Sequence, residues 1–449
     1  MRKALGKGEL LVDEFLRWVE WREGGGPLKL ELIDVSRAHF NGTPLVDTYV
    51  QLPPERRRPG VCGLLLSNMY GTRGAAAAWE RDYSSNMESW GFARGVSTPC
   101  LFWHQSRRLA VVVHGDDFIC LGDDNDLGWF EGCMSGKYEN KVVGKIGPEE
   151  EDAKSMRVLN RVVTWAKEGI EVEGDQRHAE IVIDQLGLSS GKGVTTPGAK
   201  GEDEKEDETP LSIEDTTTFR AIAARINFMA QDRAELLYSA KEACRSMSNP
   251  TMRSWRQLKR IGRYLVRAPR AILKFPHQEL PHELDIYCDS DWASCRKTRR
   301  STSGGCVMLG KHMIKAWSST QGVIALSSGE AEYYAMLKGA SVGGGVQAMS
   351  DDLGIFMGIN LHTDSSAAKG VATRKGLGKT RHVAVVYLWL QDKSAKGEVR
   401  IKKVPGAEKP ADLMTKYLAE GVMEKHRRRM GCENREGRHP LMPRVNKQE

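Results

Sequence analysis

Four carboxylates in the second half of the chain stand where a sheet can gather acids. Asp289 follows the apolar run Ile286-Tyr287-Cys288 and so closes a strand. Glu332 lies in a long helical pattern from Glu330 to Met349, with Glu330 as its charged neighbour on the same helix. Asp364 ends a second strand, Ile359-Asn360-Leu361-His362-Thr363. Asp412 comes just past a Pro-Gly turn, at the start of a third helical pattern. Acids brought to one sheet edge repel each other unless cations neutralise them, and hard cations with oxygen ligands point to Mg²⁺. Two such ions about 4 Å apart can activate a water and stabilise the leaving oxygen of a phosphodiester. Asp291, close by, reads as a turn or cap residue.

A second acidic place lies nearer the N-terminus. Leu28 to Ile33 alternates apolar and polar residues, as a strand with one buried face does, and it ends at Asp34. From Leu109 to Gly122 two apolar runs flank Gly115-Asp116-Asp117, which reads as a hairpin with paired acids at its tip. Adjacent acids at such a tip are either solvated or hold a cation.

The elements that must position these groups fit an ordinary folded composition. The chain has 449 residues, 40% hydrophobic and 28% charged, which is room for two or three domains. A formal net charge of +7 is compatible with nucleic acid as partner. Nine cysteines without a CxxC pair argue against a disulfide framework and against zinc. The start is too charged for a signal peptide, and no apolar run approaches the ~18 residues of a membrane span. An intracellular protein without a membrane partner is expected. Gly147 to Asp152 reads as an acidic surface turn, and Gly201 to Glu214 as a solvated acidic run. Phe219 to Met247 is helical by period. Met252 to Arg270 is an amphipathic helix whose cationic face is either solvated or apposed to a nucleic-acid backbone. Arg296, Lys297, Arg299, Arg300, Ser301, Thr302 and Ser303 offer donors suited to phosphate oxygens, with an exposed hairpin turn as the alternative. Lys375 to His382, including Arg381 and His382, is a similar basic loop.

The landmarks DSDWA, RRSTSGG, WSSTQGVIALSSGEAEY, TDSSAA and ADLMTK, in this order between Leu284 and Leu418, resemble the ribonuclease H domain of copia-type retrotransposon polyproteins. The resemblance implies that Asp289, Glu332, Asp364 and Asp412 hold two Mg²⁺ ions, with Mn²⁺ as the alternative metal. Glu332 is preferred to Glu330 because it directly precedes Tyr333. IDVSRAHFNG, MYGTRGAAAAWERDYSSNMESWGF and HGDD resemble the reverse transcriptase palm of the same family, which implies polymerase-like metal ligands at Asp34, Asp116 and Asp117. There are departures. His114-Gly115 replaces an aromatic-plus-apolar pair, Thr72-Arg73-Gly74 departs from Leu-Lys-Gln, and the residues before Asp34 lack the family's fingers motifs. At most residual RNA-directed DNA polymerase activity is therefore expected from this chain alone, because an incoming triphosphate would be poorly positioned.

The expected organisation is α/β throughout. It runs from a leader (1–26) to an α+β palm-like domain without fingers (27–200), an acidic linker (201–216) and a helical thumb or connection (217–275). A ribonuclease H-like α/β domain with a mixed sheet (276–420) and a basic disordered tail (421–449) follow. The function implied is hydrolysis of the RNA strand of RNA–DNA hybrids, with RNA and DNA as partners. Two alternatives stand beside it: a non-catalytic nucleic-acid-binding remnant, and an RNA-dependent DNA polymerase whose fingers come from elsewhere. Oligomeric state is not legible in the sequence.

Overall fold

The computed structural model describes residues 27–445 apart from 105, 200–206, 296, 377, 379–381, 383 and 384. The expected leader, the first part of the acidic linker, Arg296 and Arg381 lie outside the described residues. The chain divides into two compact units, 1–154 with 348–355, and 155–347 with 356–449.

In the first unit, β1 (Lys29–Val35) is followed by a ribbon of β2 (Tyr49–Val50) and β3 (Gly63–Leu64). β4 (Phe92–Arg94), β5 (Leu101–His104), β6 (Ala110–His114), β7 (Asp117–Gly122) and β8 (Asn140–Ile146) come next. Six of these strands form one sheet in the order β4-β5-β6-β7-β1-β8. The alternation in β1 predicted one buried face, but Lys29 and Glu31 on the polar face are buried as well. β1 lies between β7 and β8, and its polar side chains find charged partners. The Lys29 ammonium lies 2.7 Å from Asp124 and 2.7 Å from Asp152, and it also pairs with Glu149. Two of these acids belong to the expected acidic surface turn, and the Asp152 side chain is nearly buried. Burial, with Glu131 alongside, pushes the Glu31 carboxyl up to about 8, and Lys145 lies 3.4 Å away.

The second unit begins with β9 (Ser155–Val158), β10 (Arg161–Ala166), β11 (Gly169–Glu173) and β12 (Ala271–Pro276), successive antiparallel neighbours. A mixed sheet follows: β13 (Glu283–Ser290), β14 (Thr302–Leu309), β15 (His312–Thr320), β16 (Gly358–Thr363) and β17 (Val399–Lys403), in the order β15-β14-β13-β16-β17. β13, β14 and β15 are antiparallel, whereas β13, β16 and β17 run parallel. Parallel neighbours need long crossovers, and the helix Ser328–Asp352 lies in the connection from β15 to β16. The expected α/β class with a mixed sheet is the architecture observed.

Between β11 and β12, the helices Arg177–Gln185, Ile213–Met229, Leu237–Arg245 and Met252–Arg267 pack around Val182, Phe219, Ile222, Ile226, Leu258, Ile261 and Leu265. Each such side chain, fully buried, contributes about 1.5–3 kcal/mol. The last helix is the predicted amphipathic one, and a reciprocal Thr251–Ser254 capping box closes its start. Phe219 to Met247 is not one helix. It breaks after Met229, where Asp232 pairs with Arg161 at 2.8 Å and Arg233 pairs with buried Glu235.

Two further expectations are corrected. Asp412 sits in a 3₁₀ turn, Pro410–Met414, rather than at the start of an α-helix, because the chain turns at once to bring Thr415 back to Asp289. Of the stretch expected to be a disordered tail, 421–434 is folded. Helix Glu420–Arg429 buries Met423, His426 and Arg427, and β18 (Cys432–Asn434) adds an edge to β12. Its apolar content is low, so periodicity gives no sign; Met423, Met430 and Cys432 join the core, and buried Arg427 pairs with Glu235. Among the described residues no helix is long and apolar enough to cross a membrane.

Candidate active site

The parallel register of β13 and β16 pairs Tyr287 with His362, so Asp289 and Asp364, each two residues further on, leave the sheet side by side. Glu332 arrives from the helix Ser328–Asp352, one turn from its start. That helix runs close against β13, since a Cβ at Gly339 would stand 2.1 Å from Cys288 Sγ. Asp289, Glu332 and Asp364 each offer an oxygen within 4.8 Å of the others, and this is the only such trio among the described residues.

Glu332, rather than Glu330, enters the cluster. Glu330 is turned away, accepting from the Tyr334 hydroxyl at 2.8 Å and from Leu326 N at 3.1 Å, with His382 Nε2 at 2.9 Å. Glu332 Oε1 accepts from Ser290 N at 3.2 Å, while its Oε2 is buried without a hydrogen-bond partner. Burial first, then the neighbouring Asp289, pushes the Glu332 carboxyl up to about 8. Asp412 stands beside the trio rather than within it. Lys416 Nζ ties it in, 2.8 Å from Asp412 Oδ2 and 3.8 Å from Asp289 Oδ2. Asp412 Oδ1 is likewise buried without a hydrogen-bond partner, and burial, then Asp289, raises its carboxyl.

Three groups in this site were not singled out from sequence. Lys409 is wholly buried, with its ammonium on Asp289 Oδ1 and 2.7 Å from Asp364 Oδ1. Burial alone would depress this ammonium, but Asp289 and Glu332 outweigh that and its net shift is upward. Thr415, also buried, donates its hydroxyl to Asp289 Oδ2. Lys416 is the third. The signal was available: Lys409 and Lys416 flank Asp412 at i−3 and i+4, spacings that bring charges to one side of a helical turn. Gly304, opposite Asp289 on β14, makes the approach possible, since a Cβ there would stand 2.5 Å from Thr415 Cγ2.

The donor set fits a hard divalent cation. Three carboxylates converge, two of the four acids keep an orphaned buried oxygen, and the surplus of acids over lysines leaves charge to neutralise.

The hairpin residues divide by exposure. Lys297, Arg299 and Arg300 are exposed, whereas Ser301, Thr302 and Ser303 are buried at the start of β14 and its approach. Ser301 Oγ accepts from Ala293 N at 2.9 Å, Thr302 Oγ1 from Lys241 Nζ at 2.5 Å, and Ser303 Oγ from Gln321 Nε2 at 3.0 Å. The three hydroxyls therefore serve the fold. Asp291, the expected cap, accepts from Thr302 N. In the first unit, Asp34 faces Asp117 across β1 and β7, and Asp116 is exposed at the hairpin tip. Burial, then Asp116 and Asp34, pushes Asp117 up to about 6, but these three do not form a close trio.

No family model matches the chain. It is 25% identical over 408 residues to the retrovirus-related Pol polyprotein from transposon RE2 of Arabidopsis thaliana, and 26% identical over 412 residues to that from transposon RE1. Each match covers 89% of this chain, and the chain spans 27% of the length of these curated relatives. A third relative, secreted RxLR effector protein 161 of Plasmopara viticola, is 34% identical over 116 residues, 26% of this chain and 81% of its own length. Among solved structures, the foamy viral protease–reverse transcriptase in complex with an RNA/DNA hybrid aligns over 84% of this chain and 44% of its own, at 11% identity and a TM-score of 0.48.

Proposed function

We propose, from the premise that the chain is a homologue of the retrovirus-related Pol polyproteins of copia-type transposons, that it hydrolyses the RNA strand of RNA–DNA hybrids. The observation that carries this reading is the convergence of Asp289, Glu332 and Asp364 at the end of the mixed sheet, with Asp412 beside them. Residues 276–420 would form the nuclease.

Asp289, Glu332, Asp364 and Asp412 would hold two Mg²⁺ ions, or Mn²⁺. Bound there, the metal would supply an activated water and charge stabilisation at the departing oxygen. The chain's own residues do the positioning. Thr415 orients the Asp289 carboxylate, Ser290 N orients Glu332, and Lys416 holds Asp412 against the cluster. The exposed Lys297, Arg299 and Arg300 would meet phosphates of the hybrid, and RNA would be recognised by its 2′-hydroxyls across the shallow minor groove.

Asp34, Asp116 and Asp117 would be the polymerase-like metal ligands of a palm. The test is cleavage of a labelled hybrid by the full chain and its Asp289→Asn variant. Loss of cleavage in the variant supports the assignment, and cleavage at the parent rate rejects it.

A further inference from the structure

Lys409 is the one charged side chain at the site with no exposure at all. Its ammonium bonds Asp289 Oδ1, lies 2.7 Å from Asp364 Oδ1 and reaches to 3.8 Å from Asp412 Oδ1. A buried ammonium persists only among acids that compensate its lost hydration, and here three of them surround it. Asp289 and Asp364 are also carboxylates that a divalent ion would need. Asp289 is engaged on both sides: Oδ1 by Lys409 and Oδ2 by the Thr415 hydroxyl. An ammonium and a divalent cation on one carboxylate repel each other strongly where water is excluded.

We infer that Lys409 is a resident cation that competes with the divalent ion for Asp289 and Asp364. Loading the site then requires the ammonium to leave, and this competition sets the metal affinity. The inference rests on the reading of these carboxylates as a metal site.

Mn²⁺ binding to the full chain separates the two ideas, with free Mn²⁺ followed by its electron paramagnetic resonance signal. The chain is compared with Lys409→Met, Lys409→Gln and Asp289→Asn. Removing the ammonium is expected to tighten binding roughly tenfold or more, and Asp289→Asn to weaken it. If the parent binds Mn²⁺, Asp289→Asn does not, and both Lys409 variants bind no tighter, the competition is rejected and the metal site stands. If neither parent nor variants bind, the metal-site reading falls, and the competition with it. Should the Lys409 variants fail to fold, the parent chain gives the answer by formaldehyde–borohydride methylation mapped by mass spectrometry. Lys409 is expected to resist methylation in chelator and to be modified with saturating Mn²⁺; resistance in both conditions overturns the inference.

Discussion

Arg427 Nε lies 3.8 Å from Glu235 Oε2, with both side chains 1% exposed. Glu235 already accepts from its neighbour Arg233 Nε at 2.8 Å, so one buried carboxylate pairs with a local guanidinium and with one from a distant part of the chain. Arg427 also donates to Glu424 at 2.6 Å and to Asn434 at 2.5 Å, which joins helix Glu420–Arg429 to β18. Removing one partner of a buried pair leaves the other charge without compensation. Arg427→Ala is therefore expected to lower unfolding free energy by about 3 kcal/mol, measured by urea titration. A change under about 0.5 kcal/mol, as surface substitutions give, would mean that the segment is not anchored there.

That segment shows where sequence reading ends. Apolar period located β1, the β6–β7 hairpin, β13, β16 and the long helix bearing Glu332, because burial on one face is written residue by residue. Helix Glu420–Arg429 buries charge as well as Met423, and a run such as Lys425-His426-Arg427-Arg428-Arg429 looks the same whether solvated or buried. The places of the carboxylates at strand ends and in a helix were legible, whereas the choice of Glu332 over Glu330 rested on the family resemblance. Thr415 was not legible, since its role depends on a 3₁₀ turn that local pattern does not announce; for Lys409 the spacing from Asp412 is legible but its burial is not. Burial of Ser301, Thr302 and Ser303 was hidden for a similar reason: small hydroxyl residues fit a phosphate-binding turn and a buried strand equally well.

Gly304 should be intolerant of any side chain. A Cβ would meet Thr415 Cγ2 at 2.5 Å and Met414 Cβ at 2.9 Å, so the 3₁₀ turn must retreat. Gly304→Ala is expected to cost about 2 kcal/mol in stability, read by denaturant titration, and to weaken divalent-metal binding by displacing Thr415 from Asp289. Unchanged stability together with unchanged metal affinity would contradict this packing.

His426 is 1% exposed, and burial first, then Lys425, Arg429 and Lys416, brings its imidazole down to about 4. The unfolded chain, with an ordinary histidine near 6.5, binds this proton at higher pH than the fold does. The contribution is thus fully present above about pH 6.5 and is lost as pH falls towards about 4, at up to about 1.4 kcal/mol per pH unit. His426→Gln should become progressively more stable relative to the parent as pH falls through this window. Parallel stability curves would show that His426 is not buried in its neutral form.

Lys297, Arg299 and Arg300 project from the hairpin before β14. Replacing all three with glutamine is expected to weaken hybrid binding and to flatten its dependence on log salt concentration by roughly 0.9 for each phosphate that is no longer neutralised. The melting temperature should stay within error, because exposed side chains contribute little to stability. An unaltered salt slope would move the hybrid to another face.

The most direct test follows the two strands of a doubly labelled RNA–DNA hybrid incubated with the full chain, in Mg²⁺ and in chelator. Cutting of the RNA strand alone is expected, dependent on Mg²⁺ and absent in Asp289→Asn. Cutting of both strands, cutting that survives chelator, or no cutting by a chain shown to be folded would contradict it.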